Sequence, residues 1–507
     1  MFVSAIAAAR FGTSMTFGRP FHRRSLDRLL DGMRAAQREF GAVAAAEDDD
    51  LLGGAALDPQ TRRLVQGRRL RTQALRAARE TDFYAEVFRR SGIDPAAVDH
   101  DSLSAIPVTS KQALRDDPSA FVRKGASPAH GCSTTGTTGR ATMVWLSDDE
   151  LHLMATLAAL AHFQSQTFRP EDQILLGISP RNRIAAHATA FAAAAVGAVV
   201  RIGGMIAPEQ TLATLAEHHP IPGHTSRISV LTAHPSYLAL LVETARGLGY
   251  GPADFGLERI LVGGEILTPG LRRRAQEVFG ELEFDENYAL TELVPFGGIR
   301  CERGHVHYEP ATCLVEVLDL HGRCLPVADG EPGVLVGTPL PPFRDTTLLL
   351  RYDTEDVVQT MVHPPDCAMS RLPALAQLLG KRRQAVGHDD GWTFVRPVVE
   401  ALESVGGVPL PARFGFWRAR GGVVVEVMAP DGPGLRAEIG VALERQGVPL
   451  AELRVVQSQD ELLHPLPLRC DLREGDFARA APAVASAVTA LVTASEKSAA
   501  AGRRGRP

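Results

Sequence analysis

Ser133-Thr134-Thr135-Gly136-Thr137-Thr138-Gly139-Arg140 is a run of hydroxyl side chains and glycines that ends just before a β-prone segment at residues 142–146. Glycines let backbone N–H groups approach an anion, and the hydroxyls add further donors, so the run suits a polyphosphate. On its own it also fits an exposed flexible loop. It does not fit a Walker loop, because Thr137 replaces the lysine of that motif and a β-prone segment follows where a helix is required.

Downstream of this run, helical and β-prone segments alternate. Helical periodicity covers residues 151–163, 185–196, 208–217, 235–248 and 269–279, and short β-prone runs lie at 173–178, 198–202, 228–232, 259–262 and 281–285. Such alternation predicts an α/β fold with sheets covered by helices.

The flanking segments predict further units. Helical periodicity within residues 20–90 predicts a helical N-terminal extension over 1–80, followed by a large multi-sheet α/β domain over 81–380. Candidate strands at 314–318, 333–337 and 346–351 predict a β-rich subdomain over 295–380. A small, mobile α+β domain is expected over 381–498, hinged near 380–383, with helices at 397–403 and 435–446 and strands at 412–418, 423–428 and 453–457. Residues 499–507 are small and basic, and we expect disorder there.

Composition narrows the class of partner. The chain has 507 residues, a formal net charge of −5 and six cysteines. This charge gives no broad positive field, so neither nucleic acid nor a membrane surface is expected as a partner. The apolar run at 185–200 is too short to cross a bilayer, and the start lacks a basic leader. Few cysteines fit a reducing compartment, so we expect a cytoplasmic protein.

Three later segments carry polar residues that suit chemistry. Each also has a simpler structural explanation: a strand-to-helix turn, a polar loop beside a helix start, and a charged strand end. In chain order, the segments are Val262-Gly263-Gly264-Glu265, Asn287-Tyr288-Ala289-Leu290-Thr291-Glu292 and Leu350-Arg351-Tyr352-Asp353-Thr354-Glu355-Asp356.

Together with Ile106-Pro107-Val108-Thr109-Ser110-Lys111, these segments resemble the adenylate-forming superfamily, specifically the phenylacetate-coenzyme A ligases. The resemblance covers about residues 80–385 in order and implies a nucleotide and acid site between the large domain and the small one. It also implies which residues form the phosphate loop: Ser133, Thr134, Gly136, Thr137, Thr138 and Gly139.

The resemblance assigns the nucleoside contacts to four residues. Gly264 and Glu265 match the wall beside adenine, and Tyr288 matches the residue that stacks on adenine. Asp356 matches the carboxylate that accepts hydrogen bonds from the ribose hydroxyls. The implied cofactors are therefore ATP and its product AMP, together with Mg²⁺.

The catalytic and acid-binding residues are also implied by the resemblance. Thr291 would hydrogen-bond the α-phosphate, and Glu292 would bind Mg²⁺, a hard cation that takes oxygen ligands. The pocket for the carboxylic acid would be lined by His187, Phe191 and Tyr237.

The sequence departs from the family pattern at several points. Ala289 and Glu355 stand where the family has glycines, and each adds a Cβ in a tight loop. The family's C-terminal catalytic lysine has no counterpart in the segment at 464–471, where Arg469 is the nearest cation. Arg469 is either a stand-in for that lysine or a solvated strand residue, and its planar head differs from a compact ammonium. The only lysines in the chain are Lys111, Lys124, Lys381 and Lys497.

A second cluster suggests a structural zinc site, because zinc takes four nitrogen or sulfur ligands. Some members of this branch carry zinc at a matching place, and the set implied here is Cys301, His307, His363 and Cys367, with His305 nearby. The same residues are also explained without a metal, as ordinary buried thiols beside surface histidines.

Three functions remain open. The first is an ATP- and Mg²⁺-dependent ligase that activates a carboxylic acid, aryl acids included, and passes it to coenzyme A, an amine or a carrier protein. The second is an acyltransferase that uses a preactivated acyl thioester without adenylation. The third is a non-catalytic relative that binds nucleotide or a partner protein. The oligomeric state is open, with a homodimer as one candidate.

Overall fold

The computed structural model describes residues 10, 12–41, 58–134, 141–179, 182–361, 365–389 and 391–471. Eleven helices carry labels here: α1 Arg23–Phe40, α2 Pro59–Glu80, α3 Asp82–Ser91, α4 Lys111–Asp116, α5 Asp148–Ser165, α6 Arg183–Val196, α7 Pro208–Ala216, α8 Pro235–Leu248, α9 Pro269–Phe279, α10 Val395–Ser404 and α11 Pro433–Arg445.

The strands are β1 His130–Ser133, β2 Met143–Leu146, β3 Gln173–Gly177, β4 Val199–Ile202, β5 Val230–Ala233, β6 Arg259–Gly263, β7 Glu283–Ala289, β8 Gly297–Arg300, β9 Val306–Tyr308, β10 Cys313–Leu318, β11 Pro332–Pro339, β12 Tyr352–Thr360, β13 Ala374–Lys381, β14 Val386–His388, β15 Gly391–Thr393, β16 Phe414–Ala419, β17 Gly422–Met428 and β18 Leu450–Val456.

One eleven-stranded sheet organises the large domain, in the order β10-β11-β12-β13-β9-β8-β7-β6-β5-β3-β4. The five strands from β4 to β7 in this order are parallel, and the other neighbours are antiparallel. Every residue of β3 and β5 is buried, which suits apolar strands covered by helices on both faces. The expected α/β class is confirmed.

Local sequence signals set several helix ends. α8 and α9 both begin with proline, whose fixed φ suits the first helical position. α8 stops before Gly249, which has a φ of +77°, a left-handed conformation that glycine adopts without strain. The predicted helices at 235–248 and 269–279 therefore agree with the observed bounds.

The expectation of a strand at 346–351 is wrong. β12 begins at Tyr352, because Arg351 turns the chain with a φ of +45°. Its guanidinium is buried, makes two hydrogen bonds of 3.0 and 2.9 Å to the Glu316 carboxylate, and donates to the carbonyls of Ser104 and Ile106. The strands after residue 295 also join the main sheet, so the β-rich region shares its sheet with the α/β region.

The C-terminal part has its own core. β16 and β17 are antiparallel, β17 and β18 are parallel, and α10 and α11 pack with them through Leu402, Val425 and Leu443. We propose to place the boundary between the large and small domains at residue 381, where β13 leaves the main sheet. Gly270 of α9 lies so close to the Glu403 carbonyl of α10 that a Cβ would clash with it.

All six cysteines are free thiols. Within the described residues, every helix is too short or too polar to cross a membrane.

Candidate functional site

One cavity lies at the carboxyl ends of the parallel strands. Its lining includes Ile178 after β3, His234 after β5, Gly264 after β6 and Leu290 after β7. The chain runs from β3 outward to β4 and then returns to β5 on the other side, so the order of the strands reverses here. Ligands of open α/β sheets bind at such reversal points, outside the carboxyl ends of the strands.

The turn after β6 requires glycine. Gly264 has a φ of +84°, and a Cβ there would lie 3.1 Å from Nδ1 of His234 and 3.2 Å from Cζ of Arg469. The next residue, Glu265, accepts hydrogen bonds from the backbone N–H groups of Ser236 at 2.9 Å and Arg469 at 2.8 Å. Glu265 therefore ties the small domain to the turn predicted to flank adenine.

Tyr288 and Asp356 meet across the sheet. The Tyr288 hydroxyl donates to Oδ2 of Asp356 at 2.9 Å, and Nζ of Lys381 lies 2.5 Å from Oδ1 of the same carboxylate. Burial, reinforced by the Asp356 charge, raises the pKa of Tyr288 well above its usual value, so the phenol stays protonated. The residues predicted to hold adenine and ribose are thus in direct contact.

Glu292 is buried and paired. Its side chain is 1% exposed, and its Oε1 lies 3.1 Å from Nζ of Lys111, whose side chain is 9% exposed. The Tyr352 hydroxyl donates to the same oxygen at 2.9 Å. Thr291, the preceding residue, lines the cavity as well. The predicted metal carboxylate therefore has a lysine as its counter-charge.

Arg469 lies inside the site. It belongs to a short 3₁₀ turn, Arg469–Asp471, and its Nε donates to the Gly264 carbonyl at 3.1 Å. Burial lowers the pKa of Arg469, while the charges of Glu265, Asp356 and Glu292 oppose that effect. The guanidinium is thus a cation close to the carboxylates of the predicted nucleotide site.

Glu355 occupies the position where the family has glycine. Its φ is +61°, in the left-handed region that L residues rarely adopt. The backbone N–H of Glu355 donates to Oδ1 of Asp353 at 2.7 Å, and that of Asp356 donates to the Thr354 hydroxyl at 3.0 Å. These bonds hold a glycine-like turn despite the added Cβ.

The structure describes only part of the predicted phosphate loop. Ser133 ends β1 and pairs with Met143, and the Thr134 hydroxyl accepts a hydrogen bond of 3.0 Å from the Thr142 N–H. Thr134 lines the cavity. The other predicted loop residues lie outside the described part of the chain: Gly136, Thr137, Thr138 and Gly139.

The residues predicted for the acid pocket lie elsewhere. His187 is exposed, and Phe191 packs beside it with the ring centroids 6.3 Å apart. Tyr237 is fully buried, with its hydroxyl bonded to Thr211 and to the Ile206 carbonyl. Within the described residues, the cavity wall near α6 and β5 is lined by other positions: Ile178, Asn182, Ala185, Thr189, Thr232 and His234.

Sequence reasoning missed five basic or titratable residues that line the cavity: Lys111, Arg115, His234, Lys381 and Arg383. The scarcity of lysine was the available signal. In a chain that otherwise uses arginine, two of the four lysines lie on the carboxylates predicted to bind metal and ribose.

The cysteine and histidine cluster is compact. One ligand atom from each of Cys301, His305, His307 and Cys367 lies within 4.8 Å of the others. Sγ of Cys367 is 3.2 Å from Nε2 of His307, and Nδ1 of His307 is 3.3 Å from the Leu372 carbonyl. His305 thus completes the group, whereas the predicted ligand His363 lies outside the described residues.

Comparisons with known proteins identify the family. A family model described as AMP-binding enzyme matches residues 70–338. The chain is similar to the phenylacetate-coenzyme A ligase of Thermus thermophilus, with 26% identity over 328 residues, 63% of this chain and 70% of that protein.

Two solved structures of a 2-hydroxyisobutyryl-CoA ligase share the fold. One, in the postadenylation state with R3-HIB-AMP, has a TM-score of 0.67 at 18% identity and covers 81% of this chain and 89% of that chain. The other, with 2-HIB-AMP and CoA in the thioesterification state, has a TM-score of 0.56 at 19% identity and covers 80% and 88%.

Proposed function

The chain belongs to the AMP-binding enzyme family, and we propose that it activates a carboxylic acid with ATP as an acyl adenylate and transfers the acyl group to coenzyme A. One observation carries this proposal. Gly264, Tyr288, Thr291, Asp356 and Arg469 come from distant parts of the chain and line two cavities that share Gly264 and Arg469 in their walls. These are the residue types that a nucleoside, its phosphates and an anionic acid require.

The nucleoside would occupy the cavity between the Gly264 turn and the small domain. Asp356 would accept hydrogen bonds from the ribose hydroxyls, and Lys381 contacts the same carboxylate as its counter-charge. The Tyr288 ring would lie against adenine, and its hydroxyl bond to Asp356 orients both side chains.

The triphosphate would lie toward Glu292. Mg²⁺, when bound, would neutralise part of the phosphate charge. Glu292 fits as its protein ligand, because Lys111 and Tyr352 both contact Oε1, which leaves Oε2 for a cation. Lys111 lines the same cavity and would add positive charge beside the departing pyrophosphate.

The two half-reactions follow from this arrangement. A carboxylate oxygen of the acid attacks the α-phosphorus, the bond to the β-phosphate oxygen breaks, and pyrophosphate leaves. Arg469 would hold the two repelling anions together during this step. The sulfur of coenzyme A, having lost its proton, then attacks the acyl carbon, and AMP leaves. Coenzyme A is favoured over an amine because the named relatives are coenzyme A ligases.

The test is a product balance with purified protein. Pyrophosphate, AMP and acyl-coenzyme A are measured with ATP, Mg²⁺, coenzyme A and a panel of carboxylic acids. Equal amounts of all three products support the proposal, and Asp356→Asn should weaken ATP binding. Acyl transfer from a preformed thioester without ATP would instead establish the acyltransferase. If none of these products forms, only a binding role remains, with nucleotide as the ligand if ATP binds and a partner protein if it does not.

We also propose that Cys301, His305, His307 and Cys367 hold a structural zinc ion. Two observations support the fit. One ligand atom from each residue lies within 4.8 Å of the others, and Nδ1 of His307 faces the Leu372 carbonyl, as the second ring nitrogen does in many metal-bound histidines. Metal analysis of protein purified without a histidine tag tests this, and less than a tenth of an equivalent of zinc would refute it.

A further inference from the structure

Besides Nε of Arg115, two polar atoms in the wall of the cavity at the carboxyl ends of the parallel strands have no hydrogen-bond partner among the described residues. They are Oγ1 of Thr232 and Nε2 of His234. Thr232 is 2% exposed and His234 is 4% exposed, and both residues line the cavity. Buried polar groups are nearly always hydrogen-bonded in folded proteins, so two such atoms at one place indicate a ligand that supplies the missing bonds.

The two atoms lie on the same side of the sheet. Thr232 belongs to β5 and His234 follows its last residue, so they are two positions apart, and side chains two apart on a strand point in the same direction. The surrounding wall combines the apolar or small side chains of Ile178, Ala185 and Leu261 with the polar residues Asn182 and Thr189. Thr232 and His234 differ from those two polar residues because they are deeply buried and each has an unpaired polar atom.

The hydrogen-bonding role of His234 follows from its other nitrogen. Nδ1 lies 2.7 Å from the Gly263 carbonyl, which can only accept, so Nδ1 carries the proton. Burial, aided by the Arg469 charge, lowers the pKa of His234 to about 4, and the ring is neutral near pH 7. Nε2 is consequently an acceptor and requires a donor from the ligand.

We propose, on the basis of the proposed function, that the carboxylic acid substrate carries a hydroxyl or amino substituent. This substituent donates a hydrogen bond to Nε2 of His234 and forms a second one with the Thr232 hydroxyl. An unsubstituted acid would leave both protein groups buried without partners. A site built to bond a polar substituent rejects the analogue that lacks it by a large factor, because the unpaired groups stay desolvated.

Pyrophosphate release tests this with matched acids. The probes are benzoate against its hydroxy and amino isomers, phenylacetate against 4-hydroxyphenylacetate, and butyrate against its hydroxy derivatives. We expect kcat/KM to be at least roughly a hundredfold higher for the best substituted acid than for its unsubstituted partner. Aromatic and aliphatic pairs identify the skeleton.

The variants Thr232→Val and His234→Asn test whether these two residues cause the preference for a substituted acid. Valine keeps the shape of threonine, and the asparagine amide can still donate to the Gly263 carbonyl without offering Nε2. Each should lower the preference for the substituted acid by roughly tenfold, chiefly by raising activity with the unsubstituted one. Thr214→Val, whose hydroxyl bonds within α7 away from the cavity, is the control and should leave the preference unchanged.

The outcomes separate the inference from the proposed function. Equal or better activity with unsubstituted acids would refute the inference while leaving adenylation established. A preference that survives both cavity variants would assign recognition to other residues and refute it as well. Absence of pyrophosphate release with every acid would overturn the proposed function and, with it, this inference.

Discussion

Replacing Arg469 with alanine tests the proposal that this arginine supplies the positive charge that the family resemblance assigns to a lysine. The substitution removes the guanidinium but keeps the backbone N–H that donates to Glu265 at 2.8 Å and the neighbouring Cys470 N–H that donates to Ser236 at 3.1 Å. The small domain should therefore remain docked, and the variant reports on the positive charge.

The size of the effect follows from the bonds that the guanidinium makes. It donates to the Gly264 carbonyl and lies near the charges of Glu265, Asp356 and Glu292. A hydrogen bond to a charged group contributes about 1.5–3 kcal/mol, which corresponds to roughly 10- to 150-fold in rate. Because Arg469 is partly exposed, we expect the lower half of that range, about 10- to 50-fold, for pyrophosphate release.

The assay is kcat/KM for pyrophosphate release with ATP and the best acid. Arg469→Lys restores a compact cation and should retain more activity than Arg469→Ala. Arg454→Ala is the matched control, because Arg454 pairs with Glu452 on the surface of the small domain. Equal rates for the wild-type protein and Arg469→Ala would remove Arg469 from the mechanism.

Three further predictions concern buried charge and metal. Lys111→Met should lower the free energy of unfolding, measured by urea denaturation, by about 3 kcal/mol, because Glu292 then stays buried without its counter-charge. Adding Glu292→Gln to this variant should recover part of the loss. Strictly additive losses from the two substitutions would contradict the coupling. Burial raises the pKa of Glu403 from 4.5 to about 7, so the folded state keeps a proton that the unfolded state releases between those values. This group therefore makes stability fall as pH rises from about 5 to 7, by up to about 1.4 kcal/mol per pH unit, and Glu403→Gln should remove that slope in urea titrations; identical slopes would refute the assignment. A strong chelator should lower the melting temperature of the wild-type protein but should have little further effect on Cys301→Ser. Cys324→Ser alters an exposed cysteine and is the control, so its melting temperature should fall as in the wild-type protein. Equal shifts in all three proteins would argue against zinc.

Local signals explain what could be predicted of the fold. The helices at 235–248 and 269–279 are marked by proline at the start and glycine after the end, so their bounds follow from neighbouring residues alone. The strand expected at 346–351 does not form as predicted, because Arg351 turns the chain there. Its buried side chain is bound by Glu316 and by the carbonyls of Ser104 and Ile106, which come from distant parts of the chain. No local pattern contains that information.

The same distinction separates the two halves of the site. Gly264 and Thr291 follow the parallel strands β6 and β7, and parallel strands bring their carboxyl ends to one edge whatever the details of packing. Asp356 lies inside the antiparallel strand β12, so its contact with Tyr288 depends on how the whole sheet is assembled. The ion pairs of Lys111 and Lys381 depend on contacts between distant segments and were not anticipated.

The proposed acid pocket depends instead on the rotation of one helix about its axis. The family resemblance implied His187 and Phe191 of α6, together with Tyr237, as lining residues. The structure turns Ala185 and Thr189 toward the cavity. Residues four apart share a helix face, whereas a shift of two positions rotates a side chain by about 200°, so the two pairs lie on nearly opposite faces. Small side chains at the cavity leave room for a substituted skeleton, which the polar groups of β5 and its following residue can then recognise.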